Sequence, residues 1–394
     1  MTKAMLKNSE FVPLVALLMA LSALSTDAML PALPDIGVDL GAAERNDVQY
    51  VITALFLGIG VGPLLFGPLS DSIGRKGSIL IGLAIFMAGC VISIAATEFW
   101  VMIAGRVLQG VGAAAPRVVS MALVRDQYEG RLMARIMSFV MAVFITVPMV
   151  APAMGQGILL VANWRAIFVA LFVVAGIVGL WLLLRQPETL PRRLPFSVTA
   201  IIRSAVMVVR TRQAFAHTLA LGCAFAPFVA YLSTAQQVFQ DTYNVGLLFP
   251  LYFGGLALSF GITGLINGHL VMRYGMRRLS VIAAIIVTAS SAVTWGLTFA
   301  FDGVPPLWLF LASLLLVFGG VGLLFGNLNA LAMQPLGNIA GVGAAIVTLI
   351  STLVAVPLGS LIGYLYDGTL FVLLGSFALS GAGTLASIAW GARH

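Results

Sequence analysis

The sequence predicts an all-α membrane protein of twelve transmembrane helices, built as two six-helix bundles related by pseudo-two-fold symmetry. Three observations carry that prediction. The first is composition: 60% of the 394 residues are hydrophobic and 9% charged, with a mean hydropathy of +1.06, outside the range of soluble domains of this size. The second is block length. Apolar runs of about 20 residues recur along the chain, each long enough to cross about 30 Å of hydrocarbon, and they do not alternate as barrel strands would. The third is an internal repeat. "GPLSDSIGRKG" from Gly67 and "GHLVMRYGMRR" from Gly268 agree at Gly67/Gly268, Leu69/Leu270, Gly74/Gly275 and Lys76/Arg277, an offset of 201 residues. A repeat in one orientation is what two six-span bundles produce.

Apolar runs bounded by charges, prolines and glycines place the spans at roughly 11–32, 48–67, 77–96, 99–121, 135–158, 164–185, 215–238, 247–270, 279–300, 306–330, 339–363 and 369–391. The N-terminal bundle therefore occupies 1–185, a connection 186–214 and the C-terminal bundle 215–394. The connection is basic and partly amphipathic, which fits either a helix on the anionic inner leaflet or a plain linker.

The loops test this count. One set collects Lys3, Lys7, Arg75, Lys76, Arg125, Arg131, Arg135, Arg185, Arg192, Arg193, Arg203, Arg210, Arg212, Arg273, Arg277, Arg278 and Arg393. The opposite set carries Asp35, Asp39, Glu44, Asp47, Glu98, Asp241, Asp302 and Asp367, with Arg45 and Arg165 as exceptions. Basic loops stay in the cytoplasm, so both termini are expected there. The formal charge of +7 then reports topology and not a nucleic-acid partner.

Other classes find little support. The chain has no P-loop, no metal-spaced His/Cys cluster and no nucleophile arrangement, so neither an enzyme nor a cofactor or metal is expected. Cys90 and Cys223 lie inside apolar runs and read as packed or lipid-facing small residues. Lys3 and Lys7 precede an apolar run with no small-residue cleavage site, so that run reads as a first span and not as a secretion signal.

One carboxylate, Asp27, falls inside the predicted hydrocarbon region. A charge costs several kcal/mol there, which makes a retained one functional by default and a candidate proton carrier. Pro31 and Pro34 signal the end of span 1 just beyond it, so a helix-end residue in the outer headgroup layer is the rival reading. Span 4 holds Arg106 and Arg117, eleven residues and about three turns apart.

"GPLSDSIGRKG", Gly67 to Gly77, resembles the signature loop of the major facilitator superfamily, G-x-L-x-D-x-x-G-R-K, in complete form. "GRVLQGVGAAAPR", Gly105 to Arg117, resembles the span 4 motif R-x-x-Q-G of the drug-proton antiporters, with its arginine at Arg106 and its glutamine at Gln109. "RDQY", Arg125 to Tyr128, looks like the step that closes span 4. "VPMVAPAMGQG", Val147 to Gly157, resembles the Pro/Gly antiporter motif of span 5, with Pro152, Gly155 and Gly157 and with Gln156 in place of a usual glycine. "NWRAIF" from Asn163 and "PETLP" from Pro187 look like the two ends of span 6. With "STDAMLPALP" in span 1 the resemblance is nearest the bicyclomycin and chloramphenicol resistance exporters. It is weaker in the second half, where Met272 replaces the loop aspartate.

The resemblance implies a monomeric, proton-coupled exporter of small lipophilic or cationic drug-like compounds, working by alternating access in the bacterial cytoplasmic membrane. It assigns proton coupling to Asp27 and Arg106. Gly67, Asp71, Gly74, Arg75 and Asp126 become a latch that clamps the halves on the inner side, with Asp71 also placed to cap span 3. Arg117, Gln109, Phe228, Tyr231, Gln236, Asn267 and Asn327 become candidates for substrate contact, a few polar groups among aromatics suiting a roomy apolar site. Each has a plainer reading: Arg106 as a pin between helices, Arg117 snorkelling to the inner surface, the rest as helix packing. Export of one metabolite, import by symport, and a non-transporting membrane sensor or scaffold remain the rival functions.

Overall fold

Backbone groups in hydrocarbon must bond within their own segment, and the chain meets that demand with helices throughout. The computed structural model describes residues 6–190, 193 and 195–392, apart from the side chains of Arg131, Ala134, Asn338 and Ala340. Lys3, Pro191, Arg192, Arg393 and the side chain of Arg131, all used above, lie outside the described residues.

Twelve helical segments among the described residues are long and apolar enough to cross a membrane, one for each predicted span. The first is α1 (Asn8–Asp27), prolonged after a break by α2 (Leu33–Asp39). Then come α3 (Tyr50–Ile73), α4 (Arg75–Ala95), α5 (Phe99–Gln127), α6 (Gly130–Leu159) and α7 (Arg165–Arg185). A shorter helix, α8 (Val198–Arg210), lies in the connection, and α9 (Arg212–Gln236), α10 (Phe249–Tyr274), α11 (Met276–Thr298), α12 (Leu307–Met333), α13 (Ala340–Tyr364) and α14 (Phe371–Gly391) complete the chain. The chain divides into two compact units, Met1–Ile201 and Ile202–His394, and the division falls inside α8.

Two expectations need correction. Pro31 and Pro34 do not end the first span: a 3-10 turn at Leu30–Ala32 follows the break, and Pro34 then sits in the first turn of α2, where a missing N–H costs nothing. The break is local because, of these two prolines, Pro31 alone withholds a donor from the end of the α1 ladder. Span 4 also overruns its predicted end, since α5 continues to Gln127 and stops where Tyr128 turns extended. Charges end an apolar run without ending a helix.

In the first unit α5 packs between α3 and α4. A Cβ on Gly110 would collide with the Leu55 carbonyl of α3, and one on Gly112 with the backbone of Phe86 in α4. Small residues let these backbones touch, as they must where apolar side chains gain nothing by leaving lipid. The first span is tied to α7 at both ends. Near its start Glu10 accepts from Arg185 Nε at 2.8 Å and from Trp181 Nε1 at 3.0 Å. At the end of α2 Asp39 accepts from Arg165 at 2.9 Å and from Trp164 Nε1 at 3.0 Å.

In the second unit α9 packs on α12, α13 and α14. Phe228, Tyr231, Phe253, Phe260, Phe318 and Phe325 join α9, α10 and α12 in one aromatic cluster, with Tyr231 edge-on to Phe318 at 4.9 Å. The repeat seen in the sequence is also a repeat of backbone. Gly74, φ 109°, is the single residue between α3 and α4, and Gly275, φ 79°, the single residue between α10 and α11.

The helix contacts predict that Gly110→Leu lowers stability by about 2 kcal/mol or more through overpacking. Gly157→Leu, whose added Cβ meets nothing within 4 Å, leaves it nearly unchanged. Thermal unfolding of the detergent-solubilised protein measures both, and equal effects would contradict the packing described.

Candidate functional site

Asp27 is the last residue of α1 and is buried, at 4% exposure. Its carboxylate has no hydrogen-bond or ion-pair partner among the described residues. The turns before it are held by their own hydroxyls: Ser25 Oγ and Thr26 Oγ1 both donate to the Ser22 carbonyl, at 2.9 and 3.0 Å. Such back-bonding loosens the end of a helix. From the other side α6 presses on the break, where a Cβ on Gly155 would collide with the Ala28 carbonyl and crowd Pro31. Of the antiporter-motif residues, Gly155 therefore packs against the residue next to Asp27, whereas Gly157 faces open space.

Arg106 is fully buried on α5. It does not pair with Asp27. Its Nε donates to the Val51 carbonyl and its Nη2 to the Ser25 carbonyl, both at 2.9 Å, its Nη1 donates to Gln109 Oε1, and its plane lies 5.7 Å from the Phe168 ring centroid. The Ser25 carbonyl belongs to the last turn of α1, where the break leaves acceptors without helical partners and the helix dipole presents negative charge. A guanidinium answers that need without a carboxylate. Arg106 and Asp27 are thus linked through two residues of main chain. Gln109 is buried too, donating to Cys90 Sγ at 3.1 Å, so it holds the arginine in place and faces no open space. Arg117, about 20° away around α5 at 100° per residue, is exposed and bears no hydrogen bond among the described residues.

The loop motif forms a second cluster. Arg75 is 5% exposed; its Nε donates to Asp126 at 2.8 Å, and its Nη1 to Ser70 Oγ at 2.9 Å and to Asp71. This joins α3, α4 and α5. The cap of α4 is not Asp71, as the sequence led us to expect, but Glu188. Its carboxylate accepts from the main-chain N–H of Arg75 at 2.9 Å, Lys76 at 3.2 Å, Thr189 at 2.9 Å and Leu190 at 3.0 Å. Gly74 leaves room for it, since a Cβ there would strike that carboxylate. Gly67 has open space around it.

In the second unit the residues expected to meet substrate mostly meet each other. Tyr231 is fully buried in the aromatic cluster, and Phe228 stacks on Phe260 at 5.8 Å. Asn267 and Asn327 exchange hydrogen bonds of 3.1 and 2.8 Å between α10 and α12. Gln236 donates to Gln240 at 3.0 Å. Sequence reasoning missed Glu188, the Asp39/Arg165/Trp164 knot and the role of the Ser25 carbonyl. Glu188 had a signal, being the one acidic residue in a long basic connection; a main-chain acceptor has none.

The family model described as Major Facilitator Superfamily matches residues 15–359. A Bacillus subtilis (strain 168) protein named as an uncharacterized MFS-type transporter, YdgK, is 32% identical over 359 residues, 89% of this chain and 87% of its own. A Haemophilus influenzae protein named bicyclomycin resistance protein homolog is 26% identical over 279 residues, 70% of each chain. Among solved structures, the xylose transporter XylE from E. coli, in a partially occluded inward open conformation, superposes with a TM-score of 0.73 at 12% identity, covering 97% of this chain and 96% of that one.

Arg75→Ala should cost on the order of 3 kcal/mol, because Asp126, whose side chain is 12% exposed, loses its partner in a half-dry site. Glu188→Gln keeps a hydrogen-bonding oxygen at the cap and should cost about 1 kcal/mol. Thermal unfolding reads both; a larger effect of Glu188→Gln would refute this ranking.

Proposed function

We propose that this chain, which belongs to the Major Facilitator Superfamily and is a multi-pass inner-membrane transporter, expels small lipophilic compounds in exchange for protons. Asp27 carries the reading: a buried carboxylate at a helix break, bound to no cation among the described residues. Such a group exchanges a proton without first breaking an ion pair, and its charge is unwelcome in an apolar setting, so protonation and conformation are coupled there. Arg106 holds the turn that carries Asp27, and Gly155 of the antiporter motif bears on the next residue, so movement of α5 or α6 changes the surroundings of the carboxylate.

The cycle we infer begins with the site open outward, where Asp27 takes a proton and substrate leaves. With the site open inward, substrate binding favours loss of that proton to the cytoplasm, where both termini lie by the distribution of basic residues. The Asp71/Arg75/Asp126 cluster latches the cycle at its inner end. Arg117, exposed on the same face of α5 as Arg106, is the charged side chain available to substrate or water. The bicyclomycin resistance name of one relative supports drug-like substrates.

Two measurements test the reading. Substrate added to the detergent-solubilised protein should release protons, and Asp27→Asn should abolish that release while leaving the protein folded; unchanged release sinks the carrier assignment. In vesicles with the protein's outer face inward, an acid lumen should drive accumulation of neutral or cationic drugs. No accumulation of any compound would rule out proton antiport.

A further inference from the structure

At the end of the second unit where α9 and α11 begin, we propose a site for the phosphate of an anionic phospholipid. A pocket of about 510 Å³ there is lined by Arg212, Gln213, His217, Arg277 and Gln334, among others. Its two arginines are differently placed. Arg212 is oriented by its Nε bond to the Trp390 carbonyl at 3.1 Å and lies 5.8 Å from that indole ring, which leaves its terminal nitrogens without partners among the described residues. Arg277 has no hydrogen bond or ion pair among them. His217 is 3% exposed; its Nδ1 lies 2.7 Å from the Gln213 carbonyl, and its Nε2 is buried without a hydrogen-bond partner.

Among the described residues no carboxylate pairs with the charge here. The three carboxylates of the second unit, Asp241, Asp302 and Asp367, follow the far ends of α9, α11 and α13. In the first unit the equivalent end is neutralised from within, Arg75 by Asp71 and Asp126, and the start of α4 by Glu188. In the repeat Met272 and Met276 stand where Asp71 and Arg75 stand. The basic groups that remain are left for an anion from outside the chain.

An adjoining groove of about 530 Å³ shares Arg277 and Leu331 with the pocket and adds Tyr274 and Val281. Beyond it Ile282, Ile285 and Ile286 are exposed along α11. A phosphate in the pocket would have its glycerol and acyl chains lying along that apolar path, which a free phosphate does not use. The proposal rests on the orientation inferred above, which sets this end in the anionic leaflet, where each basic side chain adds to lipid binding.

Native mass spectrometry of the full, delipidated chain tests it by titration with phosphatidylglycerol, phosphatidylcholine or inorganic phosphate. Phosphatidylglycerol should be retained several-fold better than phosphatidylcholine. Arg277→Gln should weaken that retention roughly fivefold, the worth of one basic group near the surface, and Arg277→Lys should restore most of it. Arg203→Gln, the same loss of charge on α8 outside the pocket, should leave it unchanged. If Arg277→Gln does not fold, Arg212→Gln takes its place. Equal losses in the pocket and control variants, no preference between lipids, or displacement of phosphatidylglycerol by millimolar inorganic phosphate would overturn the lipid assignment. Lipid retention in detergent does not depend on proton release, so either reading can fail alone.

Discussion

The first unit is organised around one demand, that a guanidinium buried beyond reach of water must find acceptors inside the protein. Arg106 finds them on α1, on α3 and on its own helix. Because two of its partners are main-chain carbonyls and the third is the Gln109 side chain of its own helix, three helices are held in register at one point. The glycines of α5 follow from that position, since only a close approach of backbones lets one side chain span all three. Asp27 is left free by the same arrangement: had Arg106 paired with it, the carboxylate would have been held as a permanent anion.

The two units answer the same electrostatic problem differently. Both gather basic residues at the ends of the same helices, and both turn there on one glycine with positive φ. In the first the charge is closed by Asp71, Asp126 and Glu188 into a network that ties α3, α4, α5 and the connection together. In the second Met272 and Met276 replace the Asp71/Arg75 pair, and Arg273, Arg277 and Arg278 are exposed. A duplicated backbone has kept its shape while its two copies took on separate electrostatic duties.

How much of this was legible beforehand depends on the kind of interaction. The spans could be read because each is a long apolar run whose ends carry charge, and the loop motif because its spacing puts Asp71 and Arg75 one turn apart. The bond between Arg75 and Asp126 was reachable as well, as both fall at the same basic end. The partners of Arg106 were not, because a carbonyl oxygen is present at every residue and its availability depends on where a neighbouring helix breaks. Pro31 marked that break without saying that the helix resumes after it. The aromatic residues of α9 were ambiguous for another reason: the same side chains line a ligand site or fill a core, and only their neighbours distinguish the two.

The two ties between the first span and α7 set the kind of movement open to Asp27. Glu10 is fastened at one end and Asp39 at the other, both to the same helix, so neither arm can swing away as a hinged lid would. A rod pinned at both ends and weakened near its middle yields by bowing sideways. The stroke at the carboxylate is then short and transverse, directed by whichever neighbour pushes, and cutting either pin would turn a bow into a flap.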